Sequence, residues 1–474
     1  MKKKAFSCQQ STQLARRKGP SRKRKKISVT RGQDLAADLQ RHLKKLPLEA
    51  LGRTSGFRAR RAKKITPALF VQAACLVVTL GLVSYRRWAG LIGLLGKCTL
   101  SKQALFERMN AKAVSFLQSV LGALLATVAI PPGGKPDALR QFRRVMLQDS
   151  TTLKLSEKLA RFFPGPSNQR GAQPGMLKIQ ACYDLLSQSF VHFSLSSFRH
   201  NDQAASPEVL ALVQAGDLII RDLGYFVLEV LEQIQAAHAY FLSRLRLGVG
   251  LWEVDGLTPV DLLRRLRKSG NLDGQFRLGA KKVLVRLVAI RLPPEVAAQR
   301  RRQARQNRDR RSAPSAERLA LLGWALFITN VPASTWSAQT VAEVYGLRWR
   351  IETIFKAWKS HFGLAQVPSK ASKNQVESLI CAKLIFITLF QVCFWQRHAL
   401  GAETQGRAPL SLLKVAQAAQ SYLLILVLHQ LGIDPVIAWE HLLDAHCRYE
   451  RRTRKHFMQD MPQSGSITGH LKIK

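Results

Sequence analysis

The stretch from Tyr345 to Lys359 carries the pattern that most restricts how this chain folds. Tyr345, Arg348, Glu352 and Lys359 stand at offsets of three, seven and fourteen residues. At about 100° per residue on a helix, they fall within roughly 60° of arc. No Gly or Pro interrupts residues 347–360, and large apolar side chains surround the same cylinder. We therefore predict a partly buried helix on which one stripe carries a carboxylate flanked by two cations.

Two interpretations of this stripe are open on the residues alone. A single Glu between Arg and Lys is the pattern expected where the carboxylate binds a metal ion and the cations bind phosphates. An Arg and a Glu four positions apart also form ordinary ion pairs on a solvated helix face. The rest of the chain has to supply further carboxylates if the first interpretation is correct.

The four positions match a known signature. Their spacing resembles the Y-(2)-R-(3)-E-(6)-K signature of insertion-sequence transposases of the DDE class. The resemblance implies that Glu352 is a catalytic residue that binds metal. It also implies DNA contacts by the neighbouring side chains Tyr345, Arg348, Arg350 and Lys359. The family requires two catalytic aspartates in addition.

Two aspartates follow apolar stretches that predict buried strands. Residues 145–147 lead to Asp149, and residues 218–220 lead to Asp222. Asp149, followed by S-T-T, resembles the family's first aspartate, and the D-x-G-Y motif at Asp222 resembles its second. The resemblance thus assigns catalysis and metal binding to Asp149, Asp222 and Glu352. Asp202 and Asp217 are the acids most easily confused with Asp222.

The order of the predicted elements indicates the fold class. A strand with an acid, a hairpin around Ser187, a helix, a second strand with an acid and the Glu352 helix follow one another. By resemblance this is an α/β ribonuclease-H-like core, a mixed sheet with flanking helices. The stretch between Asp222 and Glu352 is too long for a simple connection. Its alternating segments predict a β-rich insertion before the Glu352 helix.

Composition and helical spacing divide the chain into five predicted regions. The first segment has twelve Lys or Arg before its first acid, and residues 34–135 read as an all-α N-terminal domain. In that domain, the segment from Leu100 is predicted to expose Lys102, Gln103 and Arg108, either to read DNA or as an ordinary amphipathic helix. The predicted regions are a basic disordered arm (1–33), a helical DNA-end-binding domain (34–135), the ribonuclease-H-like catalytic domain (136–238 and 333–400), the insertion (239–332), and a helical C-terminal region with a basic tail (401–474).

Trp324 begins the segment WALFITN, which resembles a strand that carries a tryptophan at this place in the family. The resemblance implies that Trp324 contacts DNA by holding a base pulled out of the stack. A tryptophan of the core is an equally good interpretation on the residues alone.

The charge of the chain indicates its partner. Lys and Arg number 74 against 30 Asp and Glu, giving a net charge of +44 and a pI near 10.9. Such an excess favours a polyanion, with nucleic acid ahead of an anionic membrane. The stretches 69–85 and 379–395 are apolar but contain Gln72, Lys383 and Gln391, so we predict core helices and no membrane. The seven cysteines are scattered and we predict no signal peptide, which favours a cytoplasmic protein. The resemblance implies a location at the bacterial nucleoid.

The resemblance implies a complete reaction. Asp149, Asp222 and Glu352 would hold two Mg²⁺ ions, with Mn²⁺ as an alternative. The expected activity is cleavage of transposon ends and joining of the freed 3′-hydroxyls to target DNA. Expected partners are double-stranded DNA, as ends and target, and a second copy of the chain in a homodimer on DNA. The alternatives are a catalytically silent DNA-binding protein derived from a transposase and a hydrolytic ribonuclease-H-like nuclease.

Overall fold

A computed structural model describes residues 42–58, 64–79, 85–96, 98–127, 136–166, 174–306 and 314–392, together with Ser411 and Lys414. The predicted basic arm 1–33 lies outside these residues, as does the predicted region 401–474 apart from those two positions.

The described residues form a nine-stranded sheet in the order β3-β2-β1-β4-β5-β9-β8-β7-β6. The strands are β1 (Val145–Leu155), β2 (Gly175–Asp184), β3 (Ser189–Ser197), β4 (Leu218–Arg221), β5 (Tyr240–Arg244), β6 (Leu251–Trp252), β7 (Leu272–Leu278), β8 (Val283–Arg291) and β9 (Trp324–Thr329). β1, β4 and β5 run parallel to one another, and the other neighbouring pairs are antiparallel. The predicted mixed sheet is confirmed.

The first half of the sheet follows the sequence pattern closely. β2 and β3 form the predicted hairpin, and Ser187 lies in its turn. β4 is buried along its whole length and ends directly before Asp222. β1 differs from the prediction because it continues past Asp149 to Leu155, paired with β2 throughout. Asp149 therefore lies inside a strand.

The second half of the sheet continues the first without a break. β5, which lies in the stretch predicted as the insertion, pairs in parallel with β4. β9 then pairs with β5, and β8, β7 and β6 extend the sheet from β9. The strands of the predicted insertion thus extend the sheet that carries Asp149.

Helices cover both faces of the sheet. The described α-helices are Leu48–Thr54, Pro67–Thr79, Tyr85–Gly96, Lys102–Arg108, Ala111–Ala126, Asp202–Ala205, Leu228–Ala236, Leu262–Ser269, Pro294–Arg305, Ala316–Leu321, Ala338–Gly346, Trp349–His361 and Lys373–Phe390. One core contains the N-terminal helices, the last helix and one face of β1 to β4. A second core lies on the opposite face, between Leu228–Ala236 and the strands β5 to β9.

The helix Trp349–His361, called here the Glu352 helix, packs on β1 through a buried apolar side. That side consists of Ile351, Ile354, Phe355, Ala357 and Trp358. The helix is followed by Gly363, whose φ of 54° suits a residue without a side chain. Lys383, buried in the next helix, donates hydrogen bonds to the carbonyl oxygens of Gly363 (2.6 Å) and Gln366 (2.5 Å).

Lys373–Phe390 is the central helix of the first core. A capping box between Ser372 and Gln375 begins it, and most of its residues are buried against Ala111–Ala126 and Pro67–Thr79. No single helix of the described part is long and apolar enough to cross a membrane. Lys102–Arg108 and Ala111–Ala126 meet that criterion only as a pair bent by 73°.

Candidate active site

Asp149 and Asp222 follow corresponding positions of two neighbouring parallel strands. In the pairing of β1 with β4, Gln148 lies beside Arg221, and the two aspartates are the next residues along. Because side chains alternate between the faces of a strand, Asp149 shares a face with Leu147. That is the face on which the Glu352 helix packs. The fold therefore brings the three predicted acids together from three separate elements.

The guanidinium of Arg348 joins these acids. Its Nη1 lies 2.8 Å from Oε1 of Glu352 and 3.4 Å from Oδ2 of Asp149, and its Nε lies 3.6 Å from Oδ1 of Asp222. The Arg348 side chain is only 8% exposed. One buried cation thus balances three carboxylates in this arrangement.

The pKa values in the site follow from burial and from these charges. Burial raises the pKa of Asp149 to about 7, and the negative charges of Asp222 and Glu352 act in the same direction. The Ser150 N–H, which donates to Oδ1 of Asp149 at 2.7 Å, and the Arg348 charge oppose this increase. Burial lowers the pKa of Arg348, but nearby anionic groups, Asp222 foremost, raise it by more.

The donor set suits a divalent cation. Carboxylate oxygens are the ligands that Mg²⁺ and Mn²⁺ take, and a positive charge already stands among the three acids. Among the residues that the structure describes, no three acidic, histidine or cysteine side chains are already arranged around a single ion position. For these acids to hold an ion, the Arg348 guanidinium has to move from between them.

Tyr345 and Arg348 lie where two helices meet. Tyr345 belongs to the end of Ala338–Gly346, and Arg348 immediately precedes the Glu352 helix. One helix was predicted here, and the structure has two. Leu347 and Arg348, which join them, keep right-handed helical dihedral angles, so the predicted stripe of side chains is nearly continuous. Tyr345 is 8% exposed and packs on Phe327, with 5.2 Å between ring centroids. Its hydroxyl has no hydrogen-bond partner among the described atoms, and burial raises its pKa.

The other residues predicted to contact DNA lie around this centre. Lys359 is exposed near the end of the Glu352 helix, and Arg350 is partly buried near its start. Trp324 is partly buried at the first position of β9, and its indole N–H donates to the carbonyl oxygen of Gly270 at 2.6 Å. In the N-terminal region, Lys102 and Gln103 are exposed, whereas the Arg108 guanidinium lies 4.7 Å from the centre of the Phe57 ring.

The structure separates Asp222 from the two acids with which it was compared. Asp217 is wholly buried at the opposite end of β4, where it pairs with Arg144 (2.5 Å) and Arg143 (3.3 Å). Asp202 begins a short helix on the face of β1 opposite to Asp149, and accepts a hydrogen bond from Ser150. Neither acid contacts Arg348 directly.

Two features of the site were not predicted. Trp349 is one of the large apolar side chains that were predicted to surround the Glu352 helix, but it is 47% exposed. The Arg348 guanidinium lies 4.9 Å from the centre of its ring. The polar cluster behind the aspartates, which contains Gln180 and the Tyr225 hydroxyl, was also not predicted. Tyr225 belongs to the D-x-G-Y motif, so its spacing from Asp222 was the available signal.

Comparison with known proteins places the chain in a family. The transposase DDE domain family matches residues 140–389, which is more than half of the chain. The chain is similar to the transposase for insertion sequence element IS231E of Bacillus thuringiensis subsp. finitimus, with 28% identity over 413 residues, 82% of this chain and 86% of that protein. It is also similar to the transposase for element IS1151 of Clostridium perfringens, with 27% identity over 304 residues, 60% of this chain and 63% of that protein.

A shorter similarity extends the comparison to another bacterium. The chain is 38% identical over 105 residues to the putative transposase InsL for element IS186A of Escherichia coli (strain K12), covering 21% of this chain and 28% of that protein. The predicted resemblance to DDE-class insertion-sequence transposases is confirmed by the family match. The chain belongs to the transposase DDE domain family and is a DNA transposase.

Proposed function

We propose that this transposase cleaves DNA at the ends of its element and joins the freed 3′-hydroxyls to target DNA, with Asp149, Asp222 and Glu352 as its catalytic residues. The observation that supports this assignment is the convergence of three carboxylates, from β1, from the end of β4 and from a helix, on one guanidinium. Phosphoryl transfer by metal ions requires such a group of acids and needs no protein nucleophile.

The three acids would hold two Mg²⁺ ions, or Mn²⁺ in their place. When bound, these ions would activate the attacking water or 3′-hydroxyl and stabilise the departing oxygen. The backbone N–H of Ser150 donates to Oδ1 of Asp149 and so orients that carboxylate. Arg348 balances their charge until cations replace it.

The cations beside the site would bind the DNA end. Once displaced from the acids, Arg348 can pair with a phosphate, and Arg350 and the exposed Lys359 provide further positive charge on the same helix. Tyr345 and Trp324 complete the proposed DNA contacts. Tyr345 is almost fully buried, and the Trp324 indole is bonded to Gly270, so both must move to touch DNA.

The remaining parts of the proposal concern the assembly. The N-terminal helices are proposed to bind the element's ends as an all-α domain, with exposed Lys102 and Gln103 on one helix. Joining two ends requires two active sites, so we propose a homodimer on DNA without a membrane partner. The transposase would act in the cytoplasm at the bacterial nucleoid, since the similar proteins come from bacteria.

The test is an assay of cutting and joining. Purified protein is incubated with duplexes carrying the element's terminal repeats, with and without Mg²⁺, and nicked, hairpinned and joined products are separated. We expect Mg²⁺-dependent cutting and joining that Glu352→Gln loses while Lys356→Gln, an exposed cation on the same helix, retains them. Cutting without joining would indicate the hydrolytic nuclease, and bound but intact ends in both proteins would indicate a silent DNA-binding protein.

A further inference from the structure

A hydrogen-bonded cluster lies on the sheet face behind the catalytic aspartates. Ser150 follows Asp149 in β1 and therefore points to the opposite face. In the pairing of β1 with β2, Ser150 lies beside Gln180, and Thr152 beside Lys178. Directly opposite residues of paired strands share a face, so Gln180 and Lys178 project to the same side as Ser150.

These three side chains converge on one oxygen atom. Oδ1 of Asp202 accepts hydrogen bonds from Oγ of Ser150 (2.9 Å), Nζ of Lys178 (3.1 Å) and Nε2 of Gln180 (3.1 Å). Asp202 comes from the short helix after β3, so the cluster fixes β1 and β2 against a third element. The residue next to Asp149 is thereby tied to Asp202.

The same cluster reaches the segment that carries Asp222. Oε1 of Gln180 accepts a short hydrogen bond from the Tyr225 hydroxyl, and Tyr225 lies in the 3₁₀ turn directly after Asp222. Gly224 in that turn packs against Asp202, because a Cβ there would lie 3.1 Å from Oδ2 of Asp202. Asp202 thus contacts both acid-bearing segments, one through Ser150 and the other through Gln180 and Gly224.

Burial makes this arrangement hard to change. Lys178, Gln180 and Tyr225 are buried, so water cannot replace a hydrogen bond that they lose. The buried ammonium of Lys178 also needs the Asp202 carboxylate as its counterion. The cluster therefore holds Ser150 and the turn after Asp222 in one relative position.

We propose that Asp202 is a positioning residue that fixes the separation of Asp149 and Asp222 and so sets their affinity for divalent cations. This rests on the proposed function, in which those two aspartates are metal ligands. Groups that orient metal ligands from behind typically change metal affinity about 10- to 100-fold when removed. Asp202 is expected to act in this way without touching the metal or the DNA.

The test measures Mn²⁺ binding by the full chain, from the electron paramagnetic resonance signal of free Mn²⁺, together with the free energy of unfolding. We expect Asp202→Ala to weaken binding about tenfold. Asp202→Asn, which keeps an acceptor oxygen for Ser150 and Gln180 but loses the charge that pairs with Lys178, should recover part of the affinity. If only the negative charge of Asp202 affects the metal, Asp202→Ala and Asp202→Asn will lose the same Mn²⁺ affinity. That result would overturn the proposal.

Two single-hydroxyl variants test the two connections without a large change in the core. Ser150→Ala and Tyr225→Phe should each weaken Mn²⁺ binding. When either is combined with Asp202→Ala, the loss of affinity should be smaller than the sum of the two single losses. Ser194→Ala is the matched control. Ser194 lies beside Gln180 on β3, and its hydroxyl donates to the carboxylate of Glu208 at 2.7 Å, outside the cluster.

The outcomes separate the two proposals. If Asp149→Asn removes Mn²⁺ binding while the Ser150, Tyr225 and Asp202 variants bind like Ser194→Ala, the positioning role is wrong and the proposed site stands. If Asp149→Asn binds Mn²⁺ like the unchanged chain, the proposed site is wrong and the positioning role falls with it.

Discussion

At the scale of single residues, the site depends on one cation that faces three acids. Arg348 is buried between Asp149, Asp222 and Glu352, and a buried charge is stable only when it is paired. The guanidinium therefore supports the folded chain without metal, and it competes with any cation that the same oxygens would bind. In the proposed function, binding of DNA and binding of metal would be linked through the position of this side chain.

This competition predicts that Arg348→Ala binds Mn²⁺ more tightly in the absence of DNA, by about tenfold, or about 1.4 kcal/mol. The same variant should bind terminal-repeat DNA more weakly, because one phosphate contact is lost. Isothermal titration with Mn²⁺ and fluorescence anisotropy with labelled duplex measure the two effects. Arg348→Lys, which keeps a charge, is the control, and unchanged Mn²⁺ affinity in Arg348→Ala would contradict the competition.

The two aspartates at the ends of β4 should respond differently to substitution. Asp222→Ala should abolish cleavage while the chain stays folded. Asp217→Ala should destabilise the chain by about 3 to 5 kcal/mol, because it leaves Arg144 and Arg143 beside an empty buried position. Denaturant unfolding and cleavage per folded molecule check both statements. A folded Asp217→Ala chain without cleavage activity would show that the ion pair has a catalytic role.

At the scale of elements, the end of the Glu352 helix is held by the amine of Lys383. The ammonium or amine donates to two carbonyl oxygens in the turn after that helix, where water is excluded. Burial lowers the pKa of Lys383 from 10.5 to about 7. The position of the helix that carries Glu352 is therefore connected to a group that titrates near neutral pH.

The lowered pKa predicts how stability changes with pH. Between pH about 7 and 10 the unfolded chain keeps the Lys383 proton that the folded chain releases, so the free energy of unfolding rises with pH in this window. Below pH 7 both states are protonated and the contribution becomes constant. We compare the chain with Lys383→Met by urea unfolding from pH 7.5 to 9.5. The difference between their free energies of unfolding should change by about 2 to 2.5 kcal/mol. If the free energies of unfolding of the two proteins change equally with pH, Lys383 does not contribute to the pH dependence.

The sequence indicates single elements better than contacts between them. The stripe of the Glu352 helix and the apolar stretches before Asp149 and Asp222 are local patterns, and the structure has each of these elements. The pairing of Arg348 with all three acids depends on strand register and helix packing, which no local pattern encodes. The exposure of Trp349 was missed for the same reason, since an aromatic residue on a buried helix is usually part of the core.

At the scale of the whole molecule, net charge and sheet continuity are the dominant properties. A charge of +44 attracts any DNA, so affinity for duplexes without the terminal repeats should fall steeply with salt. For six to ten phosphate contacts the expected loss is about 10³- to 10⁵-fold between 50 and 200 mM salt. Removing residues 1–33, which hold twelve Lys or Arg, should reduce this slope in an anisotropy titration. An unchanged slope would exclude the arm from non-specific binding.

The unbroken hydrogen bonding from β3 to β6 has a mechanical consequence. Each strand is hydrogen-bonded to its neighbours in the order, so the two halves form one twisted sheet. The distance between the far strands β6 and β7 and the acids beside β1 and β4 depends on the number of strands between them. The sheet therefore fixes the distance between those strands and the acids.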